Sequence, residues 1–238
     1  MPSILKTKRD KIQSVLLLSV FLVIGLGWRY PLLGWIVPVV MVTGLIGSLL
    51  RGRYVCGNLC PRGGFFDQIL SRFSLNKKVP DWLAHPYTRW SVLALLMSFM
   101  LVRILQNPTD IFYLGSVFWF MCVVTTAIGV ALGLIYSPRS WCRICPIGTL
   151  ETKIGGGHYF LTLDQTSCRS CKLCEKKCPM DIRIVDFKNR GIVTDPDCIK
   201  CGICVAACPK KSLALPVAAP LQGKLTAALT RSISLVSK

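Results

Sequence analysis

Eight of the thirteen cysteines fall in two copies of one pattern. Cys168, Cys171, Cys174 and Cys178 run into Pro179, and Cys198, Cys201, Cys204 and Cys208 run into Pro209, each as C-x2-C-x2-C-x3-C-P. That is the bacterial ferredoxin run for four-iron clusters. Three thiolates in one tight loop can hold three irons of a cubane, while the fourth faces away and serves another cluster. The spacing therefore assigns Cys168, Cys171, Cys174 and Cys208 to one [4Fe-4S] cluster, and Cys198, Cys201, Cys204 and Cys178 to a second. Structural zinc is the rival for paired C-x2-C elements, but it explains neither the third evenly spaced cysteine nor the repeated C-P tail. Two such clusters without a nucleophile or catalytic carboxylate pair suit electron relay rather than bond chemistry.

Four more cysteines form a second repeat. Cys56 and Cys60 precede Pro61 and Gly63, and Cys142 and Cys145 precede Pro146 and Gly148. Each pair follows an apolar run, Gly44 to Ser48 in one copy and Gly133 to Ser137 in the other, and a short basic stretch. Apolar residues at helical spacing come next: Phe65, Phe66, Ile69, Leu70 and Phe73, then Ile147, Leu150 and Ile154. The chain reads as two helical hairpins, each ending in a cysteine pair and a membrane-surface helix. If the copies meet, Cys56, Cys60, Cys142 and Cys145 supply four thiolates for a third iron–sulfur or metal site. The competing readings are structural cysteines at tight turns, or thiol pairs with a redox or assembly role.

The elements that must position these cysteines lie in a membrane. The 238 residues are 52% hydrophobic and only 17% charged. Uncharged runs cover Ile12–Trp28, Tyr30–Leu50 and Ile111–Ser137, and Trp90–Gln106 is broken only by Arg103. A helix needs about 20 residues to cross a hydrocarbon core of about 30 Å, so the runs predict four transmembrane helices. Basic residues gather in the N-terminal tail (Lys6, Lys8, Arg9, Lys11), between the second and third runs (Arg51, Arg53, Arg62, Arg72, Lys77, Lys78, Arg89) and after the fourth (Arg139, Arg143). The positive-inside rule then puts both termini at the cytoplasmic face of the inner membrane. All cysteines but Cys122, a small packing residue inside a helix, share that reducing side, which favours metal ligation over disulfides. Loop charges and uncounted thiolates account for the net charge of +18. No recognition motif supports nucleic-acid binding.

The fold class expected is thus an α-helical integral membrane protein with a C-terminal α+β two-cluster ferredoxin-like domain. Its divisions are a basic tail at 1–11, the membrane domain at 12–157, the ferredoxin-like domain at 158–215 and an amphipathic tail at 216–238. Within the ferredoxin-like part, residues 183–196 alternate around an Asn-Arg-Gly turn as a short hairpin would. In the tail, Leu221, Leu225 and Leu229 share a helical spacing suited to a membrane surface or a partner. His85, with Tyr87, Arg89 and Trp90, is the candidate for proton exchange with a quinone, against an ordinary interfacial belt of aromatic and basic residues. His158, after three glycines, reads as linker.

This combination of spans, two cysteine pairs before proline and a C-terminal dicluster run resembles the NapH/MauN family of membrane iron–sulfur proteins, with kinship to the C-terminal part of NosR-type regulators. The resemblance covers nearly the whole chain and departs in one place: the family leaves three residues within both pairs, whereas Cys142 and Cys145 are separated by two. It implies electron transfer between the membrane quinone pool and a partner redox protein or respiratory complex, as in quinol oxidation. Its MauN branch implies an alternative, an accessory protein that supplies electrons for maturing another enzyme. A third reading is a subunit that only bridges neighbours in a larger complex.

Overall fold

The computed structural model describes residues 2–155 and 159–215, with side chains from Arg9 onward. His158 and the C-terminal tail with Leu221, Leu225 and Leu229 lie outside the described residues. In chain order the first half contains α1 (Pro2–Leu26), a 3-10 turn (Pro31–Trp35) leading into α2 (Ile36–Arg51), the short α3 (Tyr54–Asn58) and α4 (Pro61–Gln68). After α5 (Asp81–Ala84) the second half repeats the plan with α6 (Pro86–Gln106), α7 (Ile111–Ile135), the short α8 (Ser140–Ile144) and α9 (Pro146–Gly155). The remainder is β1 (Leu161–Leu163), α10 (Leu173–Lys176), a 3-10 helix (Ile184–Arg190), β2 (Ile192–Val193), α11 (Ile203–Ala207) and β3 (Leu213–Ala214).

Three helical stretches, Pro31–Arg51, Pro86–Gln106 and Ile111–Ile135, are long and apolar enough to cross a membrane. Their side chains face outward along most of their length, as lipid-facing helices require. The expectation of four spans is therefore met in three. The first helix differs because Arg9, Asp10 and Lys11 sit inside it and its uncharged part ends at Leu26. Its polar face is used internally: Arg9 and Gln13 are buried and both donate to the Gly57 carbonyl at 3.2 Å.

The surface helices interlock the halves. Helix α4 packs on α1 of its own half and on α7 of the other, and α9 packs on α6 of its own half and on α2 of the other. Phe66 and Leu70 from one copy are buried with Trp141 and Ile144 from the other. Burying apolar area in this shared core stabilises the pairing by about 25 cal/mol per Å².

The C-terminal module is a three-stranded antiparallel sheet in the order β2-β1-β3 over a core of Leu161, Leu163, Met180, Ile182, Ile184, Val193, Ile199 and Leu213. The hairpin expected within 183–196 is corrected. Residues Ile184–Arg190 form a 3-10 helix, and Ile192–Val193 pairs with Leu161–Leu163 instead, Leu161 opposite Val193. A 3-10 turn stacks residues three apart, so Ile184 and Phe187 both reach the core without a strand.

Candidate metal centres

In each pair loop the cysteine–proline step is a helix start. A proline restricts the residue before it to extended backbone and suits the first helical position, where its missing N–H costs nothing. Cys60 is accordingly extended (φ −70°, ψ 118°) before α4, and Cys145 (φ −57°, ψ 130°) before α9. The other member of each pair, Cys56 or Cys142, rides on the preceding short helix.

Two buried arginines then exchange between the copies. Arg53, three residues before Cys56, donates to the Cys142 carbonyl at 2.8 Å. Arg139, three residues before Cys142, donates to the Cys56 carbonyl at 2.9 Å. Their guanidinium groups lie flat on Gly148 and Gly63, where a Cβ would meet them at 2.6 and 2.9 Å. Arg139 is held by both oxygens of Asp67 at 2.8 and 2.7 Å, from α4. Arg53 takes Asp197, at 3.0 Å, from the ferredoxin-like module. Two arginines expected among exposed loop charges are thus 1% and 0% exposed and brace the cysteine loops.

The four thiols of the two pairs stand around one cavity of about 140 Å³. Its other wall is apolar, with Val20, Val37 and Met41 from the long helices. Arg62 reaches in and contacts the Cys122 sulfur at 3.5 Å, so Cys122, expected only to pack, belongs to this lining. Glu151 is also in the wall, 1% exposed, with Oε2 lacking a hydrogen-bond partner among the described residues. Burial raises the Cys56 and Cys60 thiols and pushes Cys142 up to about 11, against the downward pull of Arg139 and Arg53.

The module holds two further cavities. Cys168, Cys171, Cys174 and Cys208 line one of about 280 Å³, and Cys178, Cys198, Cys201 and Cys204 line another of about 20 Å³. The two runs cross, each sending its fourth cysteine to the other's cavity. All thirteen cysteines are free thiols. Among the described residues, no three His, Cys, Asp or Glu side chains converge as one bare ion would need. A cubane binds each thiolate at a different iron, so four soft thiols spread around a cavity fit an iron–sulfur cluster better than a zinc ion.

The pair loops meet the module at the second of these cavities. Gly57, directly after Cys56, lies so close to Ile199 that a Cβ would come within 1.9 Å of its carbonyl oxygen. Asn58 donates to the Lys200 carbonyl at 3.3 Å. Arg143, directly after Cys142, donates to the Met180 carbonyl. Arg89 closes the contact by pairing with Asp197. His85 stays exposed and stacks on Tyr87 with ring centroids 5.3 Å apart.

Reading the arginines only as loop charges missed the bracing. A signal was present, since R-x2-C opens both copies and glycine follows each proline by two residues. The acids that hold the arginines carry no repeat signal, because Asp67 and Asp197 come from unrelated segments.

Comparison with known proteins agrees with this layout. A model described as a 4Fe-4S binding domain matches residues 33–80 and 116–155, one segment in each half, and a 4Fe-4S dicluster domain matches residues 167–213. The uncharacterized protein MJ0749 of Methanocaldococcus jannaschii is 31% identical over 183 residues, covering 72% of this chain and 68% of the relative. The putative electron transport protein YccM of Escherichia coli is 27% identical over 84% of this chain and 54% of its own length. The ferredoxin-type protein NapH of Escherichia coli is 24% identical over 71% of this chain and 63% of its own length. No solved structure matches. The paired cysteine loops, the dicluster module and these relatives together show that the chain belongs to the NapH-like family of membrane-bound, 4Fe-4S ferredoxin-type electron transport proteins.

Proposed function

We propose that this protein relays electrons between quinol in the membrane and a partner redox protein, through three iron–sulfur centres. Cys56, Cys60, Cys142 and Cys145 hold the first, Cys178, Cys198, Cys201 and Cys204 the second, and Cys168, Cys171, Cys174 and Cys208 the third. A bound [4Fe-4S] cluster supplies a reversible electron store at each position. The chain's own residues do the rest. Arg53 and Arg139 fix the two loops across the halves, and the apolar helices keep water from the first site. In this reading α1 completes a fourth, partly polar span, and both termini face the cytoplasm.

The observation that carries the proposal is the double contact at the second cavity. The residues after Cys56 and Cys142 touch Ile199 and Met180, on the two chain segments that supply Cys198 and Cys178. Electron transfer needs such neighbouring sites, whereas a bridging subunit does not. Anaerobic mixing with a quinol analogue should bleach the oxidised clusters of the purified protein. Clusters that stay oxidised with quinol but bleach with a strong reductant would refute quinol oxidation. Iron and sulfide content with low-temperature EPR tests the first site: Cys60→Ala should lose one cluster's iron, and unchanged iron and spectra would remove that site.

A further inference from the structure

The two cavities of the ferredoxin-like module are not equivalent. The one with Cys198 is closed over by the membrane domain through Gly57, Asn58, Arg53 and Arg89. The one with Cys168 opens to solvent, and Cys171 is the one exposed cysteine among the described residues. Arg169, Lys172 and Lys210 line that cavity, and no carboxylate does among the described residues. Lys211, next to Lys210 in the chain, is exposed as well. Two of the acids adjacent in the chain to its lining residues are turned to local partners. Glu175 accepts from the Val185 N–H at 2.8 Å, and Asp164 accepts from the Thr166 and Ser167 hydroxyls. Between the cations, Leu173 is 42% exposed, an apolar spot next to two of the thiols.

Building on the relay reading, we propose that this face is the docking site of an acidic electron-transfer protein, with Leu173 at its centre and Arg169, Lys172, Lys210 and Lys211 as its rim. An apolar centre in a charged rim is the common anatomy of a transient interface. Opposite charge speeds encounter without demanding tight binding, which suits a partner that must leave after each transfer. The step is a single-electron transfer past the Cys171 thiolate. The module is oxidised by one electron and the partner reduced by one; no bond forms or breaks. An anionic lipid surface would meet the same charge, but a solvent-open redox position at the middle of the patch serves a redox protein and not a bilayer.

The test uses the full chain in nanodiscs, cluster-loaded and reduced with dithionite, so its result does not depend on quinol oxidation. Oxidation is followed by stopped flow with an anionic acceptor, cobalt(III)–EDTA, and a cationic one, hexaammineruthenium(III), across a range of ionic strengths. The anion's rate should fall with salt and the cation's rise. Arg169→Glu/Lys172→Glu/Lys210→Glu, with iron content and EPR spectra unchanged, should reverse both slopes and slow the anion about tenfold at low salt. Equal salt slopes in parent and variant would overturn the proposal. So would loss of the parent's preference when the nanodiscs carry phosphatidylglycerol, because lipid would then cover the face. If the triple variant fails to load clusters, Arg169→Gln/Lys210→Gln serves, with about half the change in slope.

Discussion

The two cysteine-pair loops share a plan and differ in what secures them. In both, an arginine from one copy holds the first cysteine's carbonyl in the other, and a glycine lets the guanidinium lie flat. Arg139, however, is secured by Asp67 within the membrane domain, whereas Arg53 is secured by Asp197, next to Cys198 in the module. The residue after the first cysteine also differs: Gly57 yields space to the module, and Arg143 grips it. The repeat thus contains a matched pair of braces, one of which is secured from outside the membrane domain. One brace keeps the halves together, and the other ties them to the module.

That division is open to attack at each brace. Arg139→Ala should have the largest effect, because it leaves the half-buried Asp67 with only Arg9 and Gln13 and frees the Cys56 carbonyl. Breaking such a buried pair costs about 3–5 kcal/mol, read as a lower unfolding midpoint in detergent together with lost iron. Asp197→Asn should cost less, about 1.5–3 kcal/mol for hydrogen bonds to a charged group. It should raise hydrogen exchange at 53–58 and 197–201 while leaving the contacts between α4 and α7 protected. If both variants loosened the same regions equally, the contrast between inner and outer brace would be lost.

The outer brace should also be acid-sensitive. Burial alone would raise the Asp197 carboxyl, but the Arg89 hydrogen bond and the Arg53 and Arg89 charges outweigh it and hold it below the usual value. A depressed folded-state value gives stability that is present above about pH 3.9, the unfolded value, and is lost as pH falls through the folded one. Exchange protection at 197–201 should therefore be flat through neutral pH and fall only in strong acid, and Asp197→Asn should abolish that fall. The smallest effects come from glycine. Gly57→Ala should cost about 1–3 kcal/mol by forcing a Cβ against the Ile199 backbone. At Gly25, where nothing lies within 4 Å, alanine should instead gain up to about 1 kcal/mol of helix propensity, seen as a small rise in unfolding midpoint.

What could be read from the sequence followed from covalent spacing. Cysteine runs, proline steps and long apolar stretches constrain only near neighbours, so they located the thiols, the helix starts and three of the helices. The same reading erred where a residue's partner is distant in the chain. Arg53 and Arg139 look like ordinary loop charges until the opposite copy and the two aspartates are in place. Arg9 and Gln13 at the start of the first helix give no sign in the sequence that they face Gly57. Residues 183–196 alternate as a strand would, yet Ile184 and Phe187 satisfy the core equally well three apart in a 3-10 turn.

The interlock of α4 with α7 and of α9 with α2 sets an order of events during synthesis. When the first hairpin leaves the ribosome, Cys56 and Cys60 are already made, but the arginine that anchors their loop lies about 80 residues further on and the surface that covers α4 does not exist. Half a thiol set is therefore held open until the last long helix is inserted. On the proposed assignment of a cluster to these four thiols, its loading would be a late, all-or-none step, and a chain truncated before Arg139 would be an incomplete template rather than a smaller working protein.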